Sequence, residues 1–198
     1  MNRLYVYAGI AASVVMIGIG IGAIAVGASG RSDVQDKIQD EKIVGTPDMN
    51  PDDTSAAVEE AGIETDIPDC TVADQEIDDG DKAKCFADYM RIHALEDTGG
   101  KTYAEMPRFI GKDGEPTAEE SEAAIDPKSG EPVSNPERNL WVTETALATA
   151  LNTSYFAEQV ATFSIVMGIC LLLAGIGFLV LTLRLPWRDT ARGDVRSP

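Results

Sequence analysis

The 198-residue chain carries 16 Lys+Arg against 33 Asp+Glu, a single histidine and a formal charge of −17. Such acidity argues against a nucleic-acid binder, which needs a basic footprint to displace counterions from phosphate. Two uncharged apolar stretches, residues 4–28 and 161–183, also exclude a simple soluble enzyme, because the other 150 residues are polar and acidic.

The first apolar run covers 25 residues, and roughly 20 suffice to cross the hydrocarbon core as a helix. Without water to satisfy the backbone, helix is the conformation expected of an isolated span. Tyr5 and Tyr7 stand where interfacial aromatics are enriched. Gly18 with Gly22, and Ala23 with Gly27, repeat small residues at a four-residue spacing. Such spacing lets helix backbones approach, within the chain or between copies. Val26-Gly27-Ala28 resembles a cleavage site, but the run exceeds the roughly 7–15 residues of a signal h-region, so an uncleaved anchor is expected. Residues 1–3 would then be a short cytoplasmic N-terminus.

Residues 29–160 form the long polar segment. Asp33, Lys37 and Glu41 make an i,i+4 charge ladder beside Val34 and Ile38, a short helix leading away from the span. Asn50-Pro51-Asp52-Asp53 combines a cap, a first-turn proline and first-turn acids, and Gly62 can close the helix expected near 51–61. Asp74, Glu76, Asp78, Asp79 and Asp81 suggest calcium, but the sixth position of that loop is Asp79 rather than glycine and the twelfth is Cys85 rather than glutamate. A solvated acidic turn accounts for them better. Ala83, Phe86, Ala87, Met90 and Ala94 recur at helical spacing over 82–97, with Gly99-Gly100 as the stop. Thr102 with Glu105, and Thr117 with Glu120, read as capping boxes. Asp126–Gly130 reads as a turn, and the stretches 111–116 and 128–136 as loops.

Asn135-Pro136-Glu137 opens a last helix by the same device as Asn50-Pro51. Leu140, Leu147, Leu151 and Tyr155 follow at helical spacing, which predicts one helix from about Pro136 through 160 and on through the second span, 161–183. That span carries Cys170 and Ala174 as a further small pair, with Tyr155 and Phe156 before it and Trp187 after it. Arg184, Arg188, Arg192 and Arg196 follow against two acids, whereas residues 141–160 hold no Lys or Arg. Basic residues near a span stay in the cytoplasm, so 184–198 is expected to be a cytoplasmic tail. Two crossings then leave the middle outside, where residues 31–160 contain 11 basic and 31 acidic residues, a net of −20.

Cys70 and Cys85 are the external cysteine pair and Cys170 lies in the second span. A Cys70–Cys85 disulfide is favoured over two independent thiols, and closing a loop of about 15 residues is worth roughly 3 kcal/mol. His93, at the edge of an apolar stripe, reads as a hydrogen-bonded packing residue. Zinc would want more His or Cys ligands than are nearby, so no metal or cofactor is expected. Asn152-Thr153-Ser154 matches a glycosylation sequon but falls on the expected helix.

The run from Cys85 to Glu96, Cys-Phe-Ala-Asp-Tyr-Met-Arg-Ile-His-Ala-Leu-Glu, continues into Thr98-Gly99-Gly100-Lys101-Thr102-Tyr103-Ala104-Glu105-Met106. With Asn139–Leu147 and both spans, it resembles a family of small actinobacterial two-span membrane proteins of uncharacterised function. The resemblance covers most of the chain. It implies an inside N-terminus, a span, an external segment with the His-Ala-Leu and Thr-Tyr-Ala elements, and a second span. Some similar sequences carry the label of an aromatic ring-opening dioxygenase. A facial iron site of that type needs two histidines and a carboxylate, and His93 is the single histidine here.

The expected fold is therefore all-α, two transmembrane helices flanking a mostly helical, loop-rich extracytoplasmic segment. Neither span holds an Asp, Glu, Lys, Arg or His, which argues against a pump or transporter acting alone. No Ser/His/Asp, Cys/His or phosphate-cradling set is recognisable. The expected role is non-catalytic: a multi-pass membrane protein whose partners are the lipid bilayer and a protein, or a second copy through its spans, with no nucleic acid. The alternatives are an envelope enzyme using paired carboxylates, with Tyr103 or Trp141 stacking on sugar, and an accessory subunit of a larger membrane complex.

Overall fold

The computed structural model describes residues 3–193, with side chains from Leu4 to Arg184. The chain is mostly helical: α1 (Arg3–Asp40), α2 (Pro51–Ala61), α3 (Gly80–Asp97), β1 (Phe109–Ile110), β2 (Pro116–Thr117), a 3₁₀ turn (Glu120–Glu122) and α4 (Pro136–Gly193). It divides into two compact units. One takes the chain up to Val34 and from Ala157 onward; the other is Gln35–Phe156. Both α1 and α4 contain a segment long and apolar enough to cross a membrane. The backbone of α4 runs helically past Arg184, while the side chains of Arg188 and Arg192, and the whole of Arg196, lie outside the described residues.

The first unit is an antiparallel helix pair. On α1, Val6, Ser13, Gly20, Gly27 and Val34 lie on the covered face; on α4 the covered series is Ala161, Gly168, Gly175 and Thr182. Both series step by seven, the repeat that keeps one stripe facing a partner as two helices supercoil left-handedly. The backbones almost touch. A Cβ on Gly20 would lie 2.7 Å from the Gly168 carbonyl oxygen, and one on Gly168 would lie 2.7 Å from that of Gly20. One on Gly27 would lie 2.7 Å from the Ala161 carbonyl, and one on Gly175 3.1 Å from the Ile17 amide nitrogen.

Within the chain, the seam uses mostly other small residues than the expected ones. Open space surrounds Gly18 and Gly22 within the chain, and Cys170 and Ala174 are exposed. Of the six, Gly27 lies in the close approach and Ala23 is half-buried at its margin. The pairs Gly18/Gly22 and Cys170/Ala174 thus lie on a different face from the seven-residue stripe, which takes in Gly27.

In the middle unit, the chain after α1 returns as an extended strip. Gly45 N–H donates to the Gln75 carbonyl at 2.9 Å, Ile77 N–H to Ile43 at 2.9 Å and Val72 N–H to Met49 at 3.1 Å. A side chain at Gly45 is impossible, since its Cβ would sit 1.9 Å from the Val72 carbonyl oxygen. Tyr89, Ile77 and Val72 are fully buried. Helix α2 is punctuated as expected: the Asn50 side chain accepts from Asp53 N–H at 3.0 Å, and Gly62 closes it with φ +68.

The region between α3 and α4 is less loop-like than expected. Residues 111–115 form the turn of the β1–β2 hairpin, in which Ile110 faces Pro116 and Phe109 faces Thr117. Ile110 also accepts from Ala124 N–H at 2.8 Å and donates to Val133 at 2.9 Å. Thr117 does not build a capping box with Glu120: its hydroxyl bonds Glu122 at 3.1 Å, and the turn has no side-chain cap. Thr102 and Glu105 do meet, but the carboxylate takes both the Thr102 N–H at 2.8 Å and its hydroxyl at 2.7 Å, leaving a turn rather than a helix.

Candidate functional site

The most distinctive local chemistry of the middle unit lies along α3. Asp79, from the acidic run, caps this helix by accepting from Lys82 N–H at 2.8 Å. Asp78 pairs with the Lys82 ammonium at 2.8 Å, which raises the lysine pKa. The run therefore opens a helix. Two turns on, Cys85 is bonded to Cys70 with Cα atoms 6.2 Å apart. One turn further, the Tyr89 hydroxyl donates to the Cys70 carbonyl at 2.6 Å. Cys70 is thus tied to α3 by a covalent bond and a hydrogen bond from residues four apart, neighbours on one helix face. Burial pushes the Tyr89 phenol pKa up, with the Asp69 charge a smaller contribution in the same direction.

His93 is partly exposed, with Nε2 3.3 Å from an Asp48 carboxylate oxygen. Asp48 has its pKa lowered first by the Thr46 hydroxyl and only weakly by His93, against an opposing effect of burial. The pair joins α3 to the loop before α2, a structural contact rather than a reactive one.

The far end of α3 packs on α4. Trp141 is 3% exposed and sits with Ala94, Leu95 and Met106. Its indole N–H donates to the Lys101 carbonyl at 2.9 Å, and the Arg91 guanidinium lies 5.3 Å from its ring centre. In the envelope-enzyme alternative Tyr103 or Trp141 would stack on sugar; the Trp141 ring is spent in the core and offers no such platform. Tyr103, 45% exposed, has its ring covered by the Arg138 guanidinium at 3.9 Å.

Between α3 and α4 runs an open groove of about 460 Å³, lined by Ala87, Asp88, Arg91, Glu144, Thr145 and Phe156 among others. Glu144 is buried and takes a hydrogen bond from the Thr145 hydroxyl at 3.1 Å. Asp88 is 39% exposed and held by Lys84. Paired-carboxylate catalysis wants two fixed acids across a cleft; here one is fixed and its neighbour is solvated. Asn152 of the sequon borders the groove on α4, its amide donating to the Ala148 carbonyl at 2.9 Å.

Within the helix pair, Arg31 Nε lies 2.9 Å from Glu158 Oε1, with the Glu158 side chain 8% exposed and that of Arg31 48%. The pair fixes the register of α1 against α4 at that end of the seam. Sequence reasoning missed this contact, the seam glycines Gly20, Gly168 and Gly175, and the tie from Tyr89 to Cys70. A signal for the seam was available in the seven-residue spacing of Gly20 with Gly27 and of Gly168 with Gly175. Comparison with protein-family models, curated proteins and solved structures gave no match.

Proposed function

We infer that the chain is an integral membrane protein. In this reading both ends of the chain are cytoplasmic, and the acidic segment 29–160 stands outside to contact a protein partner without catalysing a reaction. One observation carries the membrane reading. On the helix pair most bulky side chains point outward and the closest contacts are small: Val26 is 73% exposed, Leu173 64% and Phe163 63%, while Gly20, Gly27, Gly168 and Gly175 line the seam. Leaving such a side chain in water forgoes about 1.5–3 kcal/mol each, whereas lipid tails accept it and reward close backbone packing. The orientation is supported by the arginines from Arg184 onward, and the partner reading by the acid excess of the middle segment.

Protease added to sealed, right-side-out cells should remove the middle segment and spare both ends. Crosslinking in native membranes should recover a defined partner or a second copy. Digestion of the arginine-rich end with survival of the middle would reverse the topology, and repeated failure to recover any contact would remove the partner reading.

A further inference from the structure

We propose that a cavity at the start of α4 binds a phosphate group carried by a small soluble molecule. The cavity measures about 330 Å³ and is lined by Tyr103, Arg108, Phe109, Ser134, Arg138 and Asn139, among others, with no Asp or Glu among the described residues of its lining. That is unusual for a segment with 31 acids against 11 bases. Lys82, Lys84 and His93 each take a carboxylate partner, but among the described residues no ion pair takes Arg108 or Arg138.

Both guanidiniums are instead laid over aromatic rings. Arg138 Cζ lies 3.9 Å from the Tyr103 ring centre and Arg108 Cζ 5.5 Å from that of Phe109. Stacking holds a guanidinium flat while leaving its edge N–H groups free to make paired bonds to an oxyanion. Arg138 Nε is buried with no hydrogen-bond partner, a donor left unmet until an acceptor arrives. The frame is rigid: the Asn135 amide donates to the Pro107 carbonyl at 3.1 Å, its side-chain oxygen accepts from Glu137 N–H at 3.1 Å, and its own N–H reaches the Arg108 carbonyl at 3.0 Å. The first turn of α4 and the stretch bearing Arg108 are therefore fastened together. The positive end of the α4 dipole adds to the attraction without being needed to create it.

The charge count selects the ligand. Two unpaired guanidiniums match a phosphate group, which carries about −1.5 to −2 near neutral pH, whereas a single carboxylate would leave one unanswered. A Ser134 hydroxyl and an Asn139 amide at the same cavity suit a group with several oxygens. The inference does not depend on membrane topology, so the two can fail separately.

The test is calorimetric titration of inorganic phosphate into the full chain in phosphatidylcholine nanodiscs at low ionic strength. Millimolar or tighter binding is expected, weakened at least about tenfold by Arg108→Gln and by Arg138→Gln, since each removes a charge-assisted pair. Arg91→Gln, in the separate α3–α4 groove, should leave it unchanged. Arg138→Gln also uncovers Tyr103, so Arg108→Gln and Arg138→Lys guard against loss of fold, with circular dichroism as the check. No binding, binding indifferent to both arginines, or equal competition by acetate would overturn the assignment.

Discussion

The two units of this chain are held together by opposite means. In the helix pair the closest contacts are made without side chains: Gly20 meets Gly168 and Gly27 meets Ala161, flanked by Ile17, Ile24 and Ile165, while most other bulky residues face outward. In the middle unit the contact is made by side chains and cross-links: Trp141 and Tyr89 buried, Cys70 bonded to Cys85, caps at Asn50 and Asp79. On the membrane reading proposed above, the difference follows from the solvent each part is built for. Water drives large apolar groups together, whereas lipid gives them no such incentive and leaves dispersion between close backbones as the main attraction. A disulfide and a tryptophan anchor suit a small, acidic unit whose self-repulsion opposes compaction.

The contrast can be broken from either side. Trp141→Ala should cost the middle unit about 3–5 kcal/mol, the usual loss for a large buried aromatic, and leave the helix pair intact. Thermal melts followed by circular dichroism in detergent should then lose the middle unit's transition and keep the other. Reduction of the disulfide, or Cys70→Ser with Cys85→Ser, should cost about 3 kcal/mol by loop entropy. It should also loosen the Tyr89 tie, readable as faster amide exchange across 70–77. If exchange there is unchanged, the bond is redundant with the backbone pairing.

Gly20→Ile and Gly168→Ile should force the helices apart at about 1–3 kcal/mol each, whereas Gly18→Ile and Gly22→Ile, which meet open space, should not. Intramolecular crosslinking of cysteines introduced at 24 and 165 would report the separation. Equal damage from Gly18→Ile would mean that its face packs on a second copy.

The smallest effect is on pH. Tyr89 has a folded-state pKa raised above the ordinary value of about 10. Its contribution is therefore complete below pH 10 and lost as pH rises from there through the folded value. Urea midpoints should fall on that alkaline limb, and Tyr89→Phe should flatten it while losing the bond to Cys70. Asp48 and Glu105 act in the opposite sense, with pKa values lowered by hydrogen bonds. Their small contributions hold above the ordinary carboxylate range and fade as pH falls through the folded values.

Much of the fold could be read from local sequence because its causes are local. Asn50-Pro51 and Gly62 bracket α2 where the chain said they would, and Gly99-Gly100 end α3 with φ +61 and +77. The Cys70–Cys85 pairing followed from composition. The β1–β2 hairpin and its companions escaped because each pairing involves one or two residues, too few to set up an alternating pattern.

The sequence by itself determined that two apolar helices exist, where α2 begins and ends and where α3 stops, and it favoured a cross-link between Cys70 and Cys85. Tertiary structure alone decided which face of each helix is covered. Helix α1 carries small residues on several faces, and only its partner selects Gly20 and Gly27 over Gly18 and Gly22. It likewise decided that Trp141 would be core and that Arg138, 35 positions from Tyr103 in sequence, would lie over its ring. Propensity and capping act over a few residues, whereas burial and the fate of a charge depend on groups that the chain brings together only when it closes.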